Sequence, residues 1–158
     1  MGHIVTDHQL FTAVGADRKA GRTVALANGC FDVLHAGHVR YLEGARREAD
    51  RLVVTVNDDA SVLQLKGAGR PILAAGARAE LVAALRCVDY VVLFGEPTVE
   101  RLLRLIVPDV HCKGTDYTTD TVPERAIALE IGTRIAIVGD PKDHATRDLF
   151  GRIRDEIL

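Results

Sequence analysis

The chain has 158 residues, 47% of them apolar and 27% charged, and a formal net charge of -2. That length suits a single domain spanning 1–158 around one core, and the composition is that of a soluble globule. The slight negative balance excludes the basic face of a nucleic-acid binder, no apolar run is long enough for a membrane span, and the first ten residues lack an export pattern, which makes the cytoplasm the expected location.

Residues 23–27 (Thr-Val-Ala-Leu-Ala) read as a buried strand. Val39, Leu42, Ala45 and Ala49 recur at helical spacing across residues 38–49. Residues 52–56 form a second expected strand. Residues 74–86 are a predicted helix whose first turn is weakened by Gly76 and whose apolar stretch is a candidate homodimer interface. A third strand is expected over 88–94. A helix follows over 98–107, with Leu102, Leu103 and Ile106 inward and Pro108 as its stop. Residues 109–112 read as a fourth strand. Thr121 and Glu124 have the spacing of a capping box, starting a helix that ends at Gly132. Residues 134–138 read as a fifth strand and 146–157 as a terminal helix. Such alternation, with strands apolar on both faces, predicts an α/β fold: a Rossmann-like, doubly wound, parallel five-stranded sheet. Ligands of such sheets bind beyond the carboxyl ends of the strands, at the switch in strand order.

Cys30, Cys87 and Cys112 have neither disulfide-framework nor zinc spacing. Cys87 and Cys112 read as small core residues. No metal-ligand cluster is apparent.

Directly after the first predicted strand stands Asn28-Gly29-Cys30-Phe31-Asp32-Val33-Leu34-His35-Ala36-Gly37-His38. The two histidines straddle the start of a helix. A helix start offers unpaired N–H groups and a partial positive charge, which suit phosphate. Gly37 lets a ligand approach the backbone, and imidazoles placed there can donate to phosphate oxygens.

This string resembles the signature of the HxGH, cytidylyltransferase-like nucleotidyltransferases. Residues 56–61 (Val-Asn-Asp-Asp-Ala-Ser), 65–67 (Leu-Lys-Gly), Arg70-Pro71, 87–89 (Cys-Val-Asp) and 113–117 (Lys-Gly-Thr-Asp-Tyr) are similar to segments of bacterial D-glycero-β-D-manno-heptose 1-phosphate adenylyltransferases. The resemblance covers residues 24–153. It implies an enzyme that transfers AMP from ATP to a sugar 1-phosphate with loss of pyrophosphate, with magnesium arriving on the nucleotide. His35, His38 and Lys66 would be catalytic. Asn28, Gly29, Cys30, Phe31, Gly37, His38, Lys113, Gly114, Asp116 and Thr146 would bind the nucleotide. Asp32, Asn57, Arg70 and Arg78 would face the acceptor. From its own surroundings Arg78 reads equally as an exposed solubilising charge, and Asp32 as a carboxylate fixing a turn. Two other readings compete. One is a cytidylyltransferase using CTP and an alcohol phosphate such as glycerol 3-phosphate; the other is a nucleotide-binding protein that has lost catalysis.

The chain departs from the family pattern in three places. A Ser-Thr-Thr run is usual where this chain has Ala145, Thr146 and Arg147, with Lys142 and His144 nearby. Leu73 and Gly76 replace a usual Asn and Glu. Cys30 stands where relatives carry another small residue; it reads as a tolerated small side chain, with a reactive helix-proximal thiol as the alternative.

Overall fold

The computed structural model describes residues 1–141 and 146–157. Six parallel strands form one sheet: β1 His3–Ile4, β2 Val24–Gly29, β3 Arg51–Asn57, β4 Tyr90–Phe94, β5 Val110–Lys113 and β6 Arg134–Ile137. Their spatial order is β1-β4-β3-β2-β5-β6. Among the described residues, seven helices connect or flank them: α1 Asp7–Lys19, α2 Ala36–Arg46, α3 Asp59–Lys66, α4 Ala75–Ala83, α5 Glu100–Ile106, α6 Arg125–Glu130 and α7 Thr146–Glu156.

The α/β parallel architecture is as expected, with six strands in place of five. The added strand, β1, pairs His3 with Tyr90 and Ile4 with Val91 at the sheet edge. Two exposed residues carry no periodicity to read. Two helices also went unforeseen. α1 is fixed by a reciprocal Thr6–Gln9 capping box, and α3 by Asp58, whose side chain accepts from the Ser61 N–H.

Alternation along the strands divides the core into two layers. On one face Ala25 and Ala27 of β2, with Val54 and Val56 of β3, pack against Leu42 and Ala45 of α2 and Val82 of α4. On the other, Val24, Leu26 and Val53 meet Leu10 and Val14 of α1 and Leu102, Leu103 and Ile106 of α5. Cys112 is fully buried in the first layer and Cys87 packs at its margin. α4 spends its apolar face inside the domain: Arg78, Ala79, Val82 and Ala83 are buried, against β1, β3 and β4. Leu81 of the same stretch, read in sequence as a candidate interface, stays exposed.

β2 has β3 on one side and β5 on the other. The chain reverses its direction of travel across the sheet here, so the carboxyl ends of β2 and β5 open a crevice between the elements that follow them.

Candidate active site

A cleft of about 1040 Å³ lies at that switch point, walled by residues after β2, β3, β4 and β5 and by α7. The start of α2 forms its floor. His35 is the N-cap residue, with extended backbone (φ -141°, ψ 172°). Its Nδ1 accepts from the Gly37 N–H at 3.1 Å, and Nδ1 of His38 faces the His35 N–H at 3.4 Å. The rings stack with centroids 3.9 Å apart, and the Phe31 ring stands edge-on to His38 at 5.2 Å. A neutral imidazole that accepts at Nδ1 carries its proton on Nε2. Both histidines line the cleft. Burial, then the neighbouring His35 and Lys66, push the His38 pKa down to about 4, so this ring is neutral near pH 7.

The turn between β2 and α2 is tight. Phe31 takes left-handed backbone (φ 48°), which an L residue adopts only when its surroundings demand it. Asp32, next to it, is nearly buried. Its Oδ2 accepts from Arg70 Nη1 at 2.7 Å, and its Oδ1 from the N–H groups of Ile72 and Leu73 at 2.6 and 3.2 Å. Burial alone would raise its pKa, but the Arg70 bond and the two backbone donors outweigh that and hold the carboxyl below its ordinary range. Of the two readings of Asp32, the structure favours a fixing role, and the segment it fixes is 70–73 rather than its own turn. The Arg70 guanidinium also lies 4.1 Å over the Phe150 ring of α7.

Arg78 is placed differently from either sequence reading. It is 0% exposed and lies beneath the cleft, outside its wall. Nε donates to the Leu73 carbonyl, Nη1 to the carbonyls of Cys30 and Asn57, and Nη2 to Asp59 Oδ1, all at 2.6–2.8 Å. With four of its five N–H donors so engaged and its side chain buried, Arg78 binds three chain segments together and is absent from the cleft lining. Asn57 lines the cleft while donating to Ser61 Oγ. Its Oδ1 lies 3.8 Å from the Cys30 thiol. Burial pushes that thiol's pKa up, so Cys30 is not the activated thiolate its position allowed for. Lys66, the last residue of α3, lies on the cleft rim and is exposed.

After β5, Gly114, Asp116 and Tyr117 line the opposite wall with Lys113. The Lys113 Nζ is 3.0 Å from Asn28 Oδ1 and 3.1 Å from Glu124 Oε2. His111 Nε2 lies 3.4 Å from the same Glu124 oxygen. Burial would raise the Glu124 pKa, but the hydrogen bond from His111 and the Lys113 charge bring it down to about 2. The sequence reading missed His111 and assigned Glu124 to a capping box. Instead, α6 starts at Arg125 with no side-chain cap, Thr121 Oγ1 accepts from the Thr118 N–H, and Glu124 turns to the buried lysine. A charged partner attracts a carboxylate more strongly than one backbone amide does.

The sequence departures at Lys142, His144 and Ala145 lie outside the described residues, as do the side chains of Thr146 and Arg147. Among the described residues no group of three or more His, Cys, Asp or Glu side chains could hold a metal ion, and both Asp32 oxygens are occupied. Among the described residues no helix is long and apolar enough to cross a membrane.

A family model described as cytidylyltransferase-like matches residues 26–147, which include the cleft-lining residues apart from Asp148 and Phe150. The chain belongs to the cytidylyltransferase-like family. It is accordingly a nucleotidyltransferase. The bifunctional protein HldE of Ectopseudomonas mendocina is 46% identical over 94% of this chain and 31% of that protein. The protein of the same name from Syntrophotalea carbinolica is 43% identical over 88% of this chain and 28% of its own length. The chain thus spans about a third of the curated relatives it matches. A solved structure, the lipopolysaccharide core biosynthesis protein from Thermoplasma volcanium, superposes with a TM-score of 0.66 at 26% identity, covering 77% of this chain and 100% of that one.

Proposed function

We propose that the chain transfers AMP from ATP to a sugar 1-phosphate, D-glycero-β-D-manno-heptose 1-phosphate, and releases pyrophosphate. What supports the reading is the pair of stacked histidines at the N-terminus of α2, each with Nδ1 turned to a backbone N–H, lining a cleft of about 1040 Å³. An oxygen of the sugar phosphate attacks the α-phosphorus of ATP. The bond to the bridging oxygen of the β-phosphate breaks, and no covalent enzyme intermediate forms. The enzyme positions the phosphates and neutralises charge. His35 and His38 donate to phosphate oxygens, reinforced by the helix dipole. Lys66 contributes a mobile cation from the rim. Asn28, Lys113 and Asp116 hold the nucleoside side, and Arg70, pinned by Asp32, faces the acceptor with its remaining donors. Magnesium enters with the triphosphate.

The segment Lys113–Tyr117 favours the ATP and sugar-phosphate pairing over CTP with an alcohol phosphate, and the name of the solved neighbour also points to sugar chemistry. The test is pyrophosphate release, with magnesium, from four nucleoside triphosphates against sugar and alcohol phosphates. Release with ATP and the heptose phosphate, reduced about 10²–10³-fold in His35→Ala, is the expected result. Preferred turnover of CTP with glycerol 3-phosphate, or ATP binding without turnover of any acceptor, overturns the assignment.

A further inference from the structure

We propose that Glu124 is a positioning residue of the nucleotide site, acting through Lys113 to fix the side-chain amide of Asn28 with its N–H donors toward the cleft. The inference rests on the cleft being the nucleotide site.

Neither Glu124 nor Lys113 is more than 6% exposed. An ammonium so buried needs a compensating charge, and Glu124 Oε2 supplies it at 3.1 Å. His111 approaches the same oxygen from β5 at 3.4 Å, so the carboxylate is held from two sides. The second partner of Lys113 decides the orientation of Asn28. Lysine has donors only, so the Asn28 atom 3.0 Å from Nζ is the carbonyl oxygen. The amide nitrogen is thereby turned away from Lys113. Asn28 lines the cleft, and its Nδ2 donors suit an acceptor of the nucleoside, an oxygen of the ribose or an oxygen or ring nitrogen of the base.

The sheet makes this chain of contacts possible. Ala27 of β2 pairs with Cys112 of β5, so Asn28 and Lys113 follow side by side at the strand ends. Asn28 continues the face of Val24 and Leu26. Glu124 arrives from the start of α6, on that same face. Without Glu124 the lysine has no carboxylate to hold it over Asn28, and the amide is free to flip and present its oxygen to the nucleotide.

The experiment measures steady-state transfer, ATP affinity by calorimetry, and melting temperature in the full chain. The variants are Glu124→Gln, Glu124→Asp, Lys113→Met, Asn28→Asp and the double substitution that combines E124Q with K113M. E124Q is expected to raise KM and Kd for ATP about tenfold, equivalent to about 1.4 kcal/mol. Its kcat should stay within about threefold of the unsubstituted protein, as for loss of uniform binding. E124D, which keeps the charge, should restore most of the affinity. The double substitution should bind ATP no more weakly than K113M alone, because both act through one contact. Asn28→Asp, which keeps the acceptor for Lys113 and lacks N–H donors, should lose about tenfold in affinity even if E124Q fails to fold. Multiplying effects of E124Q and K113M, a lowered melting temperature with ATP affinity unchanged, or Asn28→Asp binding normally would each overturn the proposal. Unsubstituted protein that binds no nucleotide overturns the functional reading and this inference together; normal turnover with unaltered E124Q kinetics overturns this inference alone.

Discussion

Replacing Arg78 by Met tests whether this arginine holds the floor of the cleft or meets a substrate. The substitution removes four hydrogen bonds. Asp59 is half-exposed (51%) and regains water, so its share is small. The carbonyls of Cys30, Asn57 and Leu73 lose a charged donor that is itself 0% exposed, and methionine offers them no replacement. Hydrogen bonds to charged groups contribute about 1.5–3 kcal/mol each, and the losses are not additive. Breaking a buried charged contact set costs about 3–5 kcal/mol in total. At about 2–4 °C per kcal/mol for a domain this size, the melting temperature should fall by about 6–20 °C. Arg78→Lys keeps the charge but loses the fork, and should cost about 1–3 kcal/mol. Urea unfolding gives the free energies, and calorimetric melts check them. If Arg78→Met costs less than about 1 kcal/mol while affinity for the acceptor phosphate collapses, the residue is a ligand contact and the reasoning fails.

Acid should destabilise the fold in two overlapping stages. The folded His38 pKa, about 4, lies below the ordinary 6.5, so the unfolded chain binds more protons in that window and stability falls as pH drops from 6.5 toward 4. Glu124, at about 2 against 4.5, extends the decline from 4.5 toward 2. Urea titrations across this range should show it, with the upper part flattened in His38→Gln; a flat profile between pH 6.5 and 4 would contradict the placement of His38. Glycine substitutions offer a contrasting pair. A Cβ on Gly95 would sit 2.4 Å from Asp58 Oδ2, so Gly95→Ala should dislodge the α3 cap and cost about 1 kcal/mol. Gly15, in α1 with no atom near its Cβ position, should instead gain about 0.5–1 kcal/mol as Ala. Thermal melts in which Gly15→Ala lowers and Gly95→Ala preserves stability would reverse both arguments.

What the sequence disclosed depended on how local the determining forces were. β2 and the eleven residues after it were readable because an apolar run, a turn and a helix start follow one another without interruption. β1 was not, because two residues become a strand only through β4. α3 is eight residues long and α1 buries only Leu10, Val14 and Asp17, too few to mark a stripe. The box at Thr121 and Glu124 had the right spacing and the wrong competitor: a buried lysine from β5, eleven positions earlier in the chain, draws the carboxylate away. Arg78 was opaque for the same reason. Its partners come from residues 30, 57, 59 and 73, which only the completed fold assembles.

The way His35 and His38 are held also limits what they can carry. Each ring has committed Nδ1 to a backbone N–H, and a second proton there would turn an acceptor into a donor facing a donor. Charging either imidazole would therefore unfasten the first turn of α2. If these rings serve the proposed transfer, they suit the part of fixed donors and not of proton ferries: a proton shed during turnover would leave on a product or through solvent, with the helix start intact from one cycle to the next.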